Sequence, residues 1–165
     1  MAEDKVAVTE LEQRMRAWID DHTRTYLGTR GAEGHILDME MLGGHKFTPT
    51  LLLRHVGRKS GTIRYAPVIY GCIGGKVIVI ASRGGADFDP AWYTNIEAAG
   101  GALDLQIAGQ AFRGTWREAE GEERETLWAF MRQVYPPYDA YRAKTARHIP
   151  VMIITADEPI PIFEG

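Results

Sequence analysis

Three short clusters carry the residue types needed to grip an anion and a flat ring. Gly57-Arg58-Lys59-Ser60-Gly61 sets two cations and a hydroxyl between glycines, and Arg64 follows on the same side. Glycine lets a backbone approach a ligand closely and lets successive N–H groups converge on an anion. The run is not a P-loop, because the G-x-x-x-x-G-K-[ST] spacing is absent. By itself it fits a charged turn as well as a phosphate cradle. Ser82-Arg83-Gly84-Gly85-Ala86 ends an apolar run and precedes a helix start, where exposed N–H groups and the helix dipole favour anions. Pro90-Ala91-Trp92-Tyr93-Thr94-Asn95 opens that helix with two adjacent aromatics, a residue type that is more often core than ligand-facing. Tyr135, Tyr138 and Tyr141 recur every third residue, which puts them on one side of a helical turn.

Other chemistries find less support. His22, His35, His45, His55 and His148 are scattered, with no H-E-x-x-H spacing, so no metal site is expected. There is no G-x-S-x-G elbow and no G-x-G-x-x-G after a strand, which leaves hydrolase and Rossmann readings without a motif. Cys72, the one cysteine, sits in a strand pattern and is expected to be buried rather than nucleophilic. It has no partner for an internal disulfide, so a reducing, cytoplasmic setting is the default. The start, MAEDKVAVTELEQ, lacks the basic and apolar regions of a signal peptide. No apolar run approaches the roughly 18 residues of a membrane span.

Charge is unevenly spread. Between Met41 and Ala86 lie none of the 22 Asp and Glu residues, yet Lys46, Arg54, Arg58, Lys59, Arg64, Lys76 and Arg83 all fall there. A cationic block within an acidic chain of net charge −3 focuses a field on a docked anion. Nucleic acid is not the expected partner, given that net charge and the absence of a nucleic-acid motif.

The 165 residues make one domain. Residues 1–45 are expected to hold an amphipathic helix over 9–27, opened by a Thr9–Glu12 capping box, and then a Gly-rich loop from 28 to 44. Leu11, Met15, Trp18, Ile19, His22 and Tyr26 share the apolar face. That face is read as packed on the core, with a lid or a foot for peripheral membrane contact as the alternative. Residues 46–158 carry the remaining elements. Strands are expected over 50–56, 64–72 and 76–82, joined by glycine turns. A helix starts at Asp89-Pro90 with a carboxylate cap and runs to about 99. Strands at 103–107 and 112–118 come next, then a helix over 122–134 that turns Leu127, Trp128 and Met131 inward. A short helix to 146 and a strand over 150–155 finish the pattern, and the tail after Pro159 is expected to fray. About six antiparallel strands with three to four helices indicate an α+β domain on a small barrel.

The ordered set G-R-K-S-G, R, S-R-G-G-A, P-A-W-Y-x-N and Y-P-P-Y-D-A-Y, spread over residues 51–155, resembles the deazaflavin-dependent nitroreductase family. These are actinobacterial enzymes with a split β-barrel of the FMN-binding type. The resemblance implies coenzyme F420, whose phosphate and glutamyl tail suit the cationic block. It implies that Arg58, Lys59, Ser60 and Arg64 hold the phosphate region through charge-assisted hydrogen bonds. Tyr65, Ala66, Pro67, Val68, Ile69, Ile80, Ala81, Ser82 and Arg83 would lie along the ring and polyol. Ala91, Trp92, Tyr93, Thr94 and Asn95 would close the far side. Tyr135, Tyr138 and Tyr141 would face the substrate, with Ser82 and Tyr138 as the catalytic pair. Arg83 stands where relatives usually carry lysine, and Ile63 where a proline is common.

The implied reaction moves a hydride from reduced F420 to an electron-poor small molecule: a quinone, an enone-type lactone or a nitroaromatic. Rival readings are an FMN-dependent reductase on the same barrel and a non-catalytic binder of F420 or a fatty acid. Oligomeric state is left open.

Overall fold

A computed structural model describes residues 2–165, with side chains from residue 10 onward. Seven strands form one antiparallel sheet: β1 (Ile36–Leu37), β2 (Thr48–Val56), β3 (Ile63–Ile73), β4 (Lys76–Ile80), β5 (Ala102–Ile107), β6 (Gln110–Glu118) and β7 (Val151–Ile160). Their order is β1-β2-β3-β4-β7-β6-β5, and a further pairing of β2 with β5, in register at Leu53 and Leu105, closes six of them into a barrel. Closure leaves no long unpaired edge.

Four helices surround the barrel: α1 (Ala2–Gly28), α2 (Ala91–Ala99), α3 (Gly121–Val134) and α4 (Tyr138–Lys144). Both faces of β2 and β4 are buried, which is why these strands read as apolar runs rather than alternating patterns. Leu51, Leu53, Val77 and Val79 point inward with Leu105, Met152 and Ile154, and Tyr93 and Ile96 of α2 join that cluster. Ile78 and Ile80 point outward against Trp128 and Met131 of α3 and against Tyr135 and Tyr138. Leu52 packs against Tyr26 and Phe163.

Several local expectations are corrected. Helix α1 begins at Ala2, upstream of Thr9, and the Thr9 side chain lies outside the described residues. Only the end of its apolar face is buried: Tyr26 is fully enclosed and its hydroxyl donates to Thr50 O at 3.0 Å, whereas Leu11 is 60% exposed. The 28–44 stretch contains β1 and a short 3-10 turn, Glu40–Leu42. Asp89 does not cap α2; Pro90 holds the cap position and the Asp89 carboxylate pairs with Arg147 at 2.6 Å. Cys72 is exposed, because it falls beside the turn of the β3–β4 hairpin. The tail does not fray: β7 reaches Ile160, and buried Phe163 donates its N–H to Gln106 Oε1 at 2.8 Å. Among the described residues no helix is long and apolar enough to cross a membrane.

Candidate functional site

The Ser82 cluster and the three tyrosines meet around a cavity of about 240 Å³. One wall is Pro67, Val68 and Ile69 from the middle of β3, with Ile80 and Ser82 from the end of β4 and the loop after it. The facing wall is Tyr135, Tyr138 and Tyr141, while Trp92 of α2 borders the cavity from a third side. Met15, Trp18, Ile19 and His22 of α1 line it too, a contribution that sequence reading did not assign. The apolar stripe on α1 was the available signal, but its target depends on tertiary packing.

The Ser82 loop has an unusual backbone. Arg83, Gly84 and Gly85 all have positive φ, at 45°, 62° and 79°. A Cβ at Gly85 would lie 2.6 Å from the Tyr141 carbonyl oxygen, so only glycine lets α4 come this close. The Arg83 guanidinium sits 3.9 Å above the Phe88 ring, a cation–π contact. Arg147, which sequence reading also missed, clamps the loop from beneath. It donates to Ala86 O at 2.7 Å, Ser82 O at 2.8 Å and Asp89 Oδ1 at 2.6 Å, with its side chain only 10% exposed. Nothing in spacing separates Arg147 from nearby Arg142 and Lys144; its role exists only once β7 lies beside β4.

The three tyrosines do not share one helical turn. Tyr135 ends α3, Pro136-Pro137 break the chain, and Tyr138 and Tyr141 lie on α4. Their rings still cluster, with 5.0 Å between the Tyr135 and Tyr138 centroids and 2.8 Å between the Tyr135 and Tyr141 hydroxyls. Tyr138 lines the cavity, and among the described residues its hydroxyl makes no hydrogen bond. Burial pushes the phenols of Tyr138 and Tyr135 far above their ordinary range, so both stay protonated.

The first cluster forms a separate, exposed loop at the β2–β3 turn. Backbone bonds from Gly57 N to Thr62 O (2.9 Å) and Gly61 N to Gly57 O (2.8 Å) set its shape. Arg58 reaches α2, donating from Nη1 to Thr94 Oγ1 (2.9 Å) and Asn95 Oδ1 (3.0 Å). Lys59, Ser60 and Arg64 are exposed beside it.

Some expected site residues fall elsewhere. Tyr65 faces the C-terminal segment, its hydroxyl donating to Glu164 O at 3.2 Å. Tyr93 packs within the barrel, edge-on to Trp116. Ala81 is fully buried beneath the loop, Ala66 is half-buried opposite Leu53, and Ala91 is exposed at the start of α2. The cationic block divides as well. Arg54 is held by Asp104 at 2.6 Å, and Lys76 bonds Thr155 Oγ1 on the far side. A wider hollow of about 650 Å³ lies between the β3–β4 hairpin and α3. It holds none of the sequence clusters, and its Arg117 is paired with Glu123.

A sequence model of a family described as F420H2-dependent quinone reductase matches residues 18–156. The chain is 36% identical over 112 residues to a Mycobacterium tuberculosis protein named for that activity, covering 68% of this chain and 93% of the relative. It is 27% identical over 137 residues to another M. tuberculosis F420H2-dependent quinone reductase, covering 81% and 87%. Among solved structures, an F420-H2 dependent reductase superposes with a TM-score of 0.58 at 40% identity, over 64% of this chain and 93% of its own. A structure described as a domain-swapped dimer gives 0.60 at 35% identity, over 84% and 98%.

Proposed function

The chain belongs to the F420H2-dependent quinone reductase family, and from that premise we propose how its own residues hold the deazaflavin and which acceptors they admit. Arg58, Lys59 and Arg64 would hold the phosphate end, and Pro67–Ile69 with the Ser82 loop would hold the ring. Strand β3 supports this reading, because it carries both Arg64 and the cavity wall. At ~3.3 Å per residue, Arg64 and Val68, on one face of the strand, stand about 13 Å apart, a span covered by a tricyclic ring and an extended polyol. The donor set fits too, with exposed cations at one end and aromatic and aliphatic walls at the other.

When bound, the reduced deazaflavin supplies the hydride. The protein orients the partners and excludes water through Trp92, the tyrosines and the apolar face of α1. Ser82, its carbonyl fixed by Arg147, lines the cavity and would offer its hydroxyl to the ring. Tyr138 keeps its proton and donates a hydrogen bond to the acceptor oxygen that gains charge. A phenol held so far above its ordinary range suits that role better than giving its proton away. Quinones meet these demands, and enone-type lactones and nitroaromatics present an equivalent oxygen on a flat frame.

The test begins with a titration of oxidised F420, followed by its fluorescence, against FMN as competitor. Reduced F420 is then mixed with menadione, an unsaturated lactone and a nitroaromatic. Tight F420 binding and oxidation in the presence of menadione are expected. Binding without any oxidation would make the protein a carrier, and preference for FMN would overturn the cofactor assignment. Tyr138→Phe is expected to slow turnover about a hundredfold while leaving F420 affinity unchanged.

A further inference from the structure

We propose that His55 is a positioning residue for the phosphate loop, fixing the Asn95 side-chain amide in the one orientation that offers its oxygen to Arg58. The inference rests on the reading above, that Arg58 grips the cofactor phosphate.

Asn95 Oδ1 is approached by two groups that can only donate: the Arg58 main-chain N–H at 3.2 Å and Arg58 Nη1 at 3.0 Å. Its amide nitrogen must therefore point the other way, where His55 Nδ1 lies 3.0 Å distant. An amide N–H needs an acceptor, so the imidazole is neutral and carries its proton on Nε2. Both partners are enclosed, with Asn95 5% and His55 7% exposed, so water does not take over either bond cheaply. Turning the amide over would aim its NH2 group at two arginine donors.

Burial first, and the neighbouring strand second, keep His55 in this state. His55 pairs across the β2–β3 ladder with Arg64, whose charge opposes a second positive charge on the ring, in addition to the larger effect of burial. The outcome is a chain of contacts from β2 through α2 to the loop. It pins Arg58 by its backbone and by one terminal nitrogen. The Nε and Nη2 donors have no partner among the described residues and form the edge that fits two oxygens of a phosphate.

Two deazaflavin probes separate positioning from general stability: oxidised F420, and its chromophore with the polyol but without phosphate. His55→Leu is expected to raise the dissociation constant for F420 about tenfold, with the phosphate-free chromophore unaffected. His55→Asn, whose amide oxygen takes the place of Nδ1 and can accept from Asn95, is expected to restore most of the affinity. Equal losses for both probes, or no loss for either, would overturn the proposal. Arg58→Ala is measured alongside. If it leaves F420 binding intact, the phosphate reading falls and this inference with it. If it weakens F420 while His55→Leu does not, only the role of His55 is refuted. Nitrogen NMR of the unaltered protein gives a check independent of any variant's folding: His55 should carry its proton on Nε2, and a proton on Nδ1 would refute the lock.

Discussion

The loop at Gly57–Gly61 and the loop at Ser82–Ala86 look alike in sequence, each with glycines, a serine and arginine, but the molecule secures them in opposite ways. The first is shaped by its own short backbone bonds and leaves Lys59 and Arg64 exposed, with only Arg58 tied to α2. The second is held from below by Arg147, an almost fully covered cation that spans Ser82, Ala86 and Asp89. The first loop thus leaves Lys59 and Arg64 free to attract by charge and fixes Arg58 alone. In the second, the buried clamp fixes the backbone from which Ser82 lines the cavity.

The strongest way to break this contrast is Arg147→Ala. Removing it strands the Ser82 and Ala86 carbonyls and the Asp89 carboxylate, so a loss of about 2–4 kcal/mol is expected. Calorimetry should show this as a fall in Tm of roughly 5–15 °C, together with lost turnover. A melting curve that did not move would mean that the second loop needs no clamp. Next in size, Arg58→Ala with Lys59→Ala should raise the F420 dissociation constant about a hundredfold. Tm should barely change, because exposed charges contribute little to folding. A large stability loss there would erase the distinction between the loops.

His55 sharpens the contrast through pH. Burial, with help from Arg64, lowers its pKa from 6.5 to about 4 in the folded protein. The unfolded chain therefore takes up this proton first as pH falls. The stabilisation is complete above pH 6.5 and drains away as pH drops toward about 4. Denaturation midpoints for the protein and for His55→Asn should diverge across that window, and parallel curves would refute the assignment. The smallest effect belongs to Lys76→Ala, which removes a cation of the same block on the far side of the barrel. F420 affinity should change less than about twofold, since nothing else links Lys76 to either loop.

Much of the barrel was legible from local pattern. Apolar runs bounded by glycine turns marked β2, β3 and β4, and the motif order marked both loops. What escaped depends on non-local contact. The two-residue β1 has no periodicity of its own and exists because β2 offers Thr48 and Pro49 as partners. Closure through Leu53 and Leu105 joins strands that no hairpin connects. Tyr65 and Asp89 were misread because the C-terminal segment and Arg147 reach them from far along the chain. Arg54 and Lys76 counted toward a cationic block that folding then dispersed.

The close approach of Gly85 to the Tyr141 carbonyl has a consequence for what can stand at position 85. With no room for a methyl group between them, any larger residue there forces α4 away from the Ser82 loop. Thr145, bonded to Asp87 at 2.7 Å, ties the same two segments together a few residues on. Tyr141 keeps its place on the cavity wall only while its neighbour across the gap carries no side chain.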